Sequence, residues 1–339
     1  MTESPLVSRR VATARKALCG IAVAACLPYL VLKLAWLSGS TFGIDNPGSS
    51  EAAGMRALNA VTIVMEAVAV AAALALTRLW GKRLPAWLPT RPMWIATGLL
   101  GTVLAAVPIS LLTAGSGDHT SDGPASRTSP AAAFVGIAVN GGLTVQGLTL
   151  IPLFALYVRE RWGHLLRGRI ADLADSPTRP VQQLAAVAAA LLSALPLTMH
   201  LLWATGSDLG RSKALTEDPN SIASALEVAH TGMTLAAATA GLLIAFRLPR
   251  ERPLILPLAL GWTGAGSMTA WGGWLLIASL IPTGTPSAGP RFPPSAELTY
   301  AVQLLAGVLV LMVGSCALAE RAAHLDPRPT EPQPPRGHG

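Results

Sequence analysis

Long apolar runs separated by short polar breaks dominate the chain. A membrane-spanning helix needs about 20 consecutive apolar residues, because it must cross about 30 Å of hydrocarbon in which the backbone finds no other hydrogen-bond partners. Eight runs meet this requirement, at residues 17–37, 54–77, 93–113, 131–157, 181–204, 221–246, 254–282 and 296–318. The runs lack the period-two alternation of β-barrel strands. The pattern therefore predicts an all-α integral membrane protein with eight transmembrane helices.

One stretch of sequence occurs twice, at the ends of the first and fifth runs. Residues 33–43 read KLAWLSGSTFG and residues 200–210 read HLLWATGSDLG, so Leu, Trp, Gly, Ser and Gly recur in register. Two glycines of the third run, at 98 and 101, match Gly261 and Gly264 of the seventh, and ERxxHL follows both the fourth and the eighth run. We therefore expect two tandem four-helix repeats in the same orientation, related by an axis along the membrane normal.

The repeat and the breaks divide the chain into five parts. These are a cytoplasmic lead at 1–16, a first four-helix repeat at 17–157, a cytoplasmic linker at 158–180, a second repeat at 181–319 and a disordered cytoplasmic tail at 320–339. Most arginine and lysine residues lie in the lead, the linker, the tail and the breaks 78–92 and 247–253, and basic loops stay in the cytoplasm. Only Arg127, Arg211, Lys213 and Arg291 lie in breaks on the other side. We expect a plasma-membrane protein with both termini cytoplasmic.

Composition supports a lipid environment and narrows the function. Hydrophobic residues make up 51% of the chain and charged residues 13%, against about 25% charged in soluble domains. The net charge of +7 follows from the basic loops, so nucleic acid is not an expected partner. The sequence contains no P-loop, Cys-x-x-Cys, His-Glu-x-x-His or Gly-x-Ser-x-Gly motif. An ATP-driven pump is excluded, and an enzyme is less expected than a non-enzyme.

Ionisable residues inside the apolar runs are the first candidates for a site, because burying them in lipid is costly. Glu66 lies too deep in the second run for its side chain to extend to the membrane surface, so it must be neutral, paired or beside water inside the bundle. It is either a functional residue or a protonated, hydrogen-bonded carboxyl with a structural role. Lys33 lies near the end of the first run, where it either binds a ligand or extends to the headgroups. His200, Glu227 and His230 lie at similar depth in the fifth and sixth runs.

Glu227 and His230 are three positions apart and share one helical face, which His200 should meet. A carboxylate di-iron site needs the Glu-x-x-His motif twice with further glutamates, so it is not expected here. The two histidines differ in depth by several residues, which argues against haem, and we expect no cofactor or metal. Polar contacts between helices are the alternative role for all three residues.

The seventh run interleaves five glycines with three tryptophans. Glycine-interrupted helices in two repeats are typical of transport sites, because unwound backbone can bind a solute, and this makes Gly261 and Gly264 candidates. Close packing of helices through small residues is the alternative. Gln146 and Gln303, in the fourth and eighth runs, would add polar lining or contacts between helices.

Lys33, Trp36 and Gly39 form a Lys-x-x-Trp-x-x-Gly stretch, and through it the chain resembles small multi-pass membrane proteins of actinobacteria. The resemblance implies a multi-pass fold and no particular activity. From the residues, we expect a small-molecule permease or a membrane component of an export system, with a path between the two halves. A redox or enzymatic membrane protein using the two histidines, and a non-catalytic scaffold for a protein partner or a homo-oligomer, are the alternatives.

Overall fold

The protein is a bundle of long helices, seen in a computed structural model that describes residues 5–44, 53–85, 87–116, 129–173, 175–210, 221–280 and 292–325. Within these ranges the long helices are α1 (Pro5–Leu37), α2 (Ala53–Thr77), α3 (Trp87–Ser116), α4 (Pro130–Leu166), α5 (Arg179–Ala204), α6 (Ser221–Phe246), α7 (Ile255–Leu280) and α8 (Pro294–Leu325). Short 3₁₀ helices, Leu79–Arg83 and Ile170–Asp172, lie in two connections. Arg127, Arg211, Lys213, Arg291 and the tail 326–339 lie outside the described residues.

Seven of these helices are long and apolar enough to cross a membrane. The exception is α7, whose 26 residues carry no charged side chain but include five glycines and three tryptophans that lower its hydropathy. The expectation of an all-α multi-pass membrane protein is confirmed for these seven helices. The eighth span stays a prediction.

Helix α5 shows how the bundle faces lipid. Its outward side chains are large, with Leu184 and Leu191 70% and 72% exposed, whereas Ala186 and Ala189 on the inner face are fully buried. Large exposed leucines would be unfavourable in water, and small residues let membrane helices approach one another closely. The exposed surface of α5 is therefore a lipid-facing surface.

Four helices extend well beyond the apolar runs that predicted them at one end of the bundle. At this end α1 begins at Pro5, α3 begins at Trp87, α4 continues to Leu166 and α8 continues to Leu325. That end also holds the connections 167–179 and 247–254, which are joined by backbone hydrogen bonds from Ile170 N to Arg252 O and from Leu254 N to Gly168 O, each 3.0 Å. We call it the basic end, after the arginines in these connections.

Each set of four helices packs in the same order. α1 contacts α2 and α4, and α3 contacts α2 and α4; likewise α5 contacts α6 and α8, and α7 contacts α6 and α8. The two sets meet where α3 packs against α6 and α7. There, Thr102 and Ser267 form a hydroxyl hydrogen bond of 2.6 Å, and the indole Nε1–H of Trp94 donates to the carbonyl oxygen of Trp262 at 3.1 Å. A Cβ at Gly98 would collide with the α7 backbone, so this interface depends on a glycine.

The two copies of the repeated stretch adopt the same turn. The Trp36 indole N–H donates to the carbonyl oxygen of Phe42 at 2.9 Å, and the Trp203 indole N–H donates to that of Leu209 at 2.8 Å. The glycine three residues after each tryptophan has a φ of 98° or 87°, a conformation that favours glycine. Each tryptophan therefore closes the turn that ends its helix at the opposite end from the basic one.

Arg321 joins the two halves at the basic end. Its buried guanidinium donates to three carbonyl oxygens at the end of α4 and in the following connection: Leu165 at 2.8 Å, Arg167 at 2.5 Å and Asp172 at 3.0 Å. The last carbonyls of a helix lack partners within the helix, so they need outside donors. A side chain of α8 thus caps α4.

Candidate functional site

His200 lies at the centre of a buried group of polar side chains near the end opposite to the basic one. Its Nδ1 is 2.6 Å from Oε2 of Glu227 on α6, and its Nε2 is 2.8 Å from Oε1 of Gln303 on α8. The ring itself is 2% exposed. We call His200, Glu227, His230 and Gln303 the polar cluster.

The two oxygens around His200 limit its protonation states. A neutral imidazole donates one hydrogen bond, whereas a carboxylate and an amide oxygen both accept. Both contacts are therefore satisfied by an imidazolium facing the Glu227 carboxylate, or by a neutral ring once the Gln303 amide turns so that its NH₂ donates. The geometry thus supports two states that differ by one proton and one amide rotation.

His230 stacks on His200, with ring centroids 4.8 Å apart and planes 21° from parallel. Its other neighbour is the Trp271 ring, which it meets edge to face at 5.3 Å. His230 Nδ1 is buried and has no hydrogen-bond partner among the described residues. Buried ring nitrogens normally have a partner, so this atom is an exception among the buried polar groups of the site. Within the described ranges, no group of three or more His, Cys, Asp or Glu side chains is placed to hold a metal ion.

Lys33 lies in the other half, on α1. Its Nζ donates to Oδ1 of Asn59 on α2 at 2.9 Å and lies over the rings of Tyr29 and Trp36, 5.1 Å and 4.8 Å from their centroids. The pairing of α1 with α2 resembles the pairing of His200 with Glu227 on α5 and α6. The structure therefore separates Lys33 from the polar cluster, and sequence reasoning did not identify Asn59.

Glu66 is buried between α1, α2 and α4. Gln146 Nε2 lies 2.7 Å from Glu66 Oε2 and 2.9 Å from the sulfur of Cys26. The carboxyl is 8% exposed and so has a protein donor, as a buried polar group requires. Gln146 was visible in the sequence as a polar residue in an apolar run, but nothing there identified it as the partner of Glu66.

The two candidate glycines of α7 lie against α6. A Cβ at Gly264 would lie 2.6 Å from the Met233 carbonyl oxygen, and one at Gly261 would lie 3.3 Å from the Ala240 Cβ. α7 is one continuous helix from Ile255 to Leu280, so both glycines act here by allowing close helix packing.

A crevice of about 1070 Å³ lies between the two halves at the basic end. One wall is the final part of α4, and the other wall is the first part of α7 and the last part of α8. Phe154 of α4 and Trp262 of α7 stack at 5.3 Å at its deep end, where the Trp262 indole N–H also donates to Thr97 at 3.2 Å. Gly261 is the one sequence candidate that lines this crevice.

Among the described residues, two arginines line the crevice, Arg159 near the end of α4 and Arg167 just after it, and no acidic residue does. Both side chains are exposed, and neither forms an ion pair with a described residue. In the sequence, both arginines contributed only to the predicted orientation. Ile151, Ala155 and Val158 recur at helical spacing, and Arg159 lies one turn after Ala155 on the same face of α4. Arg167 follows the helix in extended backbone, so no such signal identified it.

Comparison of the chain with protein-family models, curated proteins and solved structures found no match. The geometry of the crevice and of the polar cluster is therefore the basis for assigning a function to this multi-pass membrane protein.

Proposed function

We propose that the protein is a small-molecule permease of the plasma membrane, or the membrane component of an export system, and that its solute binds in the crevice between the two halves. The observation that carries this proposal is the size and place of the crevice. Its volume of about 1070 Å³ lies at the upper end of the range for sites that bury small organic molecules, and sites between helices or domains are preferred places for them.

A duplicated origin of the two halves supports the proposal, because transporters often bind solutes between repeats. Arg15 of α1 forms an ion pair with Glu160, and Gln182 of α5 donates to Glu320 at 2.7 Å. Arg15 and Gln182 are separated by the same number of positions as Lys33 and His200, and the two glutamates begin the two ERxxHL stretches. Equivalent residues thus make equivalent contacts.

A second pair of contacts supports the same register. A Cβ at Gly210, the last residue of its repeated stretch, would lie 2.6 Å from Ser295 Oγ at the start of α8. A Cβ at Gly43, the last residue of the other stretch, would collide with Val135 at the start of α4. Val135 and Ser295 are separated by the same number of positions as Glu160 and Glu320. In this arrangement α7 is the counterpart of α3 and forms the eighth span.

The basic end faces the cytoplasm in this proposal. The arginines of the connections 167–179 and 247–254 support this orientation, because basic loops are retained on the cytoplasmic side. The crevice then opens toward the cytoplasm, and the polar cluster lies in the outer leaflet.

The polar cluster is proposed as the proton-responsive element. His200 contacts the titratable Glu227 and His230 of α6 and the uncharged Gln303 of α8, so a change in its protonation alters contacts among three helices. Histidine is the side chain that ordinarily titrates between about pH 5 and 8. Haem is no part of the proposal, because the His200 and His230 rings stack directly and leave no space for a porphyrin between them.

The test is solute uptake into proteoliposomes that contain the purified full-length protein. The probes are one anionic, one cationic and one neutral fluorescent dye, tested with and without a pH gradient. Gly314 lines the crevice and has open space where its Cβ would lie, so Gly314→Trp should fill the crevice and reduce uptake at least tenfold. Gly232 on α6 is exposed and equally open but does not line the crevice, so Gly232→Trp is the matched control.

Uptake of no dye above that of protein-free liposomes, or equal uptake by both variants, would overturn the permease proposal. A Soret band in the purified protein would then support the redox alternative. A polypeptide that co-purifies in fixed ratio would support the scaffold.

A further inference from the structure

The geometry points to a substrate class: the crevice binds a single-chain anionic amphiphile, with its chain between α4, α7 and α8 and its acidic headgroup on Arg159 and Arg167. This inference rests on the proposed function, because it names the solute of the same crevice. It depends on three features of the crevice: its apolar walls, the pair of unpaired arginines at one end, and the capped end of α4.

The walls fit an alkyl chain. On the α4 side the lining residues are Ile151, Ala155 and Val158, and on the other side they include Leu258 of α7 and Leu318 of α8. Apolar surface on both walls is covered when a chain lies between them, which stabilises binding by about 25 cal/mol for each Å² removed from water. The Phe154–Trp262 stack lies in the part of the crevice away from the arginines, so a chain with its headgroup at the basic end extends toward these rings.

The arginines fit a headgroup at that end. Arg159 lies near the end of α4 and Arg167 directly follows the helix, and Gly163 between them leaves space, since the nearest atom to its Cβ position is the Arg159 side chain at 4.0 Å. Guanidinium groups bind carboxylate and phosphate through paired N–H donors. The lining residues that the structure describes include no carboxylate that would compete for these donors.

The end of α4 would ordinarily repel an anion, because the last carbonyls of a helix carry partial negative charge. Here Arg321 donates to the carbonyl oxygens of Leu165 and Arg167. Its guanidinium offsets that charge and at the same time holds Arg167 in place beside the crevice. A cationic amphiphile would meet Arg159 and Arg167, with Arg321 buried nearby, and no acid among the described lining residues, so the charge of the site selects an anion.

The experiment measures binding of 11-(dansylamino)undecanoic acid and of its uncharged methyl ester to the full-length protein in phosphatidylcholine nanodiscs, with empty nanodiscs subtracted. We expect saturable binding of the acid, displaced by palmitate, and at least tenfold weaker binding of the ester. Arg159→Gln with Arg167→Gln should weaken binding of the acid at least tenfold and leave the ester unchanged. Gly314→Trp should prevent binding of both.

Matched controls separate the site from general effects. Arg83→Gln with Arg161→Gln removes the same charge at the basic end from residues that do not line the crevice, and it should leave acid binding unchanged. Gly232→Trp should also leave acid binding unchanged. All variants are compared by size-exclusion chromatography, so a misfolded variant is recognised as such.

Equal binding of acid and ester, or acid binding that survives both the double arginine variant and Gly314→Trp, would overturn the inference. Its failure is distinct from failure of the permease proposal. Uptake of a neutral or cationic dye that Gly314→Trp prevents, without acid binding, would reject the substrate class and retain the permease. Acid binding in the crevice without uptake of any dye or of the dansyl acid would retain the anionic amphiphile as the ligand and reject the permease proposal.

Discussion

At the residue scale, polar side chains buried between the helices bind one another across helix boundaries. Gln146 connects α4 to Glu66 on α2, and Gln303 connects α8 to His200 on α5. An unpaired polar group in lipid is costly, and each such hydrogen bond between membrane helices contributes about 0.6 to 2 kcal/mol. These side chains therefore determine which helices are adjacent as well as supplying candidate chemistry.

Glu66→Gln should leave the fold nearly as stable as the wild type, because an amide oxygen can still accept from Gln146. Glu66→Leu removes that acceptor and should destabilise the protein by about 1 kcal/mol. Thermal unfolding of the purified protein in detergent measures both. If Glu66 carries protons, Glu66→Gln should also abolish the pH-gradient dependence of uptake. A Glu66→Leu variant as stable and active as the wild type would contradict both roles.

His200→Ala and His230→Ala should reduce uptake much more than Lys33→Ala, and Glu227→Gln should shift its dependence on external pH between about 5 and 8. The reason is that His200 and Glu227 form a titratable pair, whereas Lys33 binds the uncharged Asn59. Uptake measured across this pH range tests the difference. Equal losses in His200→Ala and Lys33→Ala would indicate two structural anchors at equivalent positions.

At the element scale, single side chains cap helix ends and position the connections. The Trp36 and Trp203 indoles close the turns after α1 and α5, and Arg321 caps α4 from α8. Arg161 is the arginine of the first ERxxHL stretch and Arg321 is that of the second. The guanidinium of Arg161, however, lies over the Tyr157 and Trp162 rings. Two residues at equivalent positions thus act differently because only one of them faces the other half.

Arg321→Ala should lower the free energy of unfolding by at least about 2 kcal/mol, because three carbonyl oxygens lose a charged donor in a buried place. Arg161→Ala, the matched control, should cost about 1 kcal/mol or less, since cation–π contacts of partly exposed groups are weak. Thermal unfolding in detergent gives both values. Similar losses in the two variants would show that Arg321 does not join the halves.

At the scale of the whole molecule, the contact of α3 with α6 and α7 brings the two halves together on one side, while α4 and the α7–α8 pair remain apart at the basic end. The crevice is the space that this packing leaves. At the basic end, the Arg321 bonds tie the end of α4 to α8. The crevice between the two halves is therefore a consequence of their docking through α3, α6 and α7.

Single cysteines test the proposed orientation, in a background where Cys19, Cys26 and Cys316 are replaced. Cysteines at Ser49, Ser121, Ser212 and Ser287, in breaks outside the described residues, should react with an impermeant maleimide in intact cells. Cysteines at Thr90, Ser176 and Thr330 should react only after permeabilisation. Labelling of Ser176 from outside would contradict both the orientation and the eight-span arrangement, because Ser176 lies in the connection at the basic end.

The helices follow from the apolar runs alone, because a run of apolar residues in lipid has only the helix to satisfy the hydrogen bonds of its backbone. The sequence also revealed the repeated turn, since Trp36, Gly39 and their counterparts form it through contacts a few residues apart. The ends of the helices were less predictable: residues 158–166, which include four charged or histidine side chains, continue α4 beyond its apolar run.

Which side chains are in contact depends on how the helices dock in the tertiary structure. Glu66 and Gln146 are 80 positions apart, and His200 and Gln303 are 103 apart. Local pattern shows that such residues are buried and on which face they lie, but the docking of helices selects their partners. The same is true of Arg159 and Arg167. In the sequence they resemble any basic residues near the end of a transmembrane helix, but they line a crevice because α7 and α8 pack opposite them.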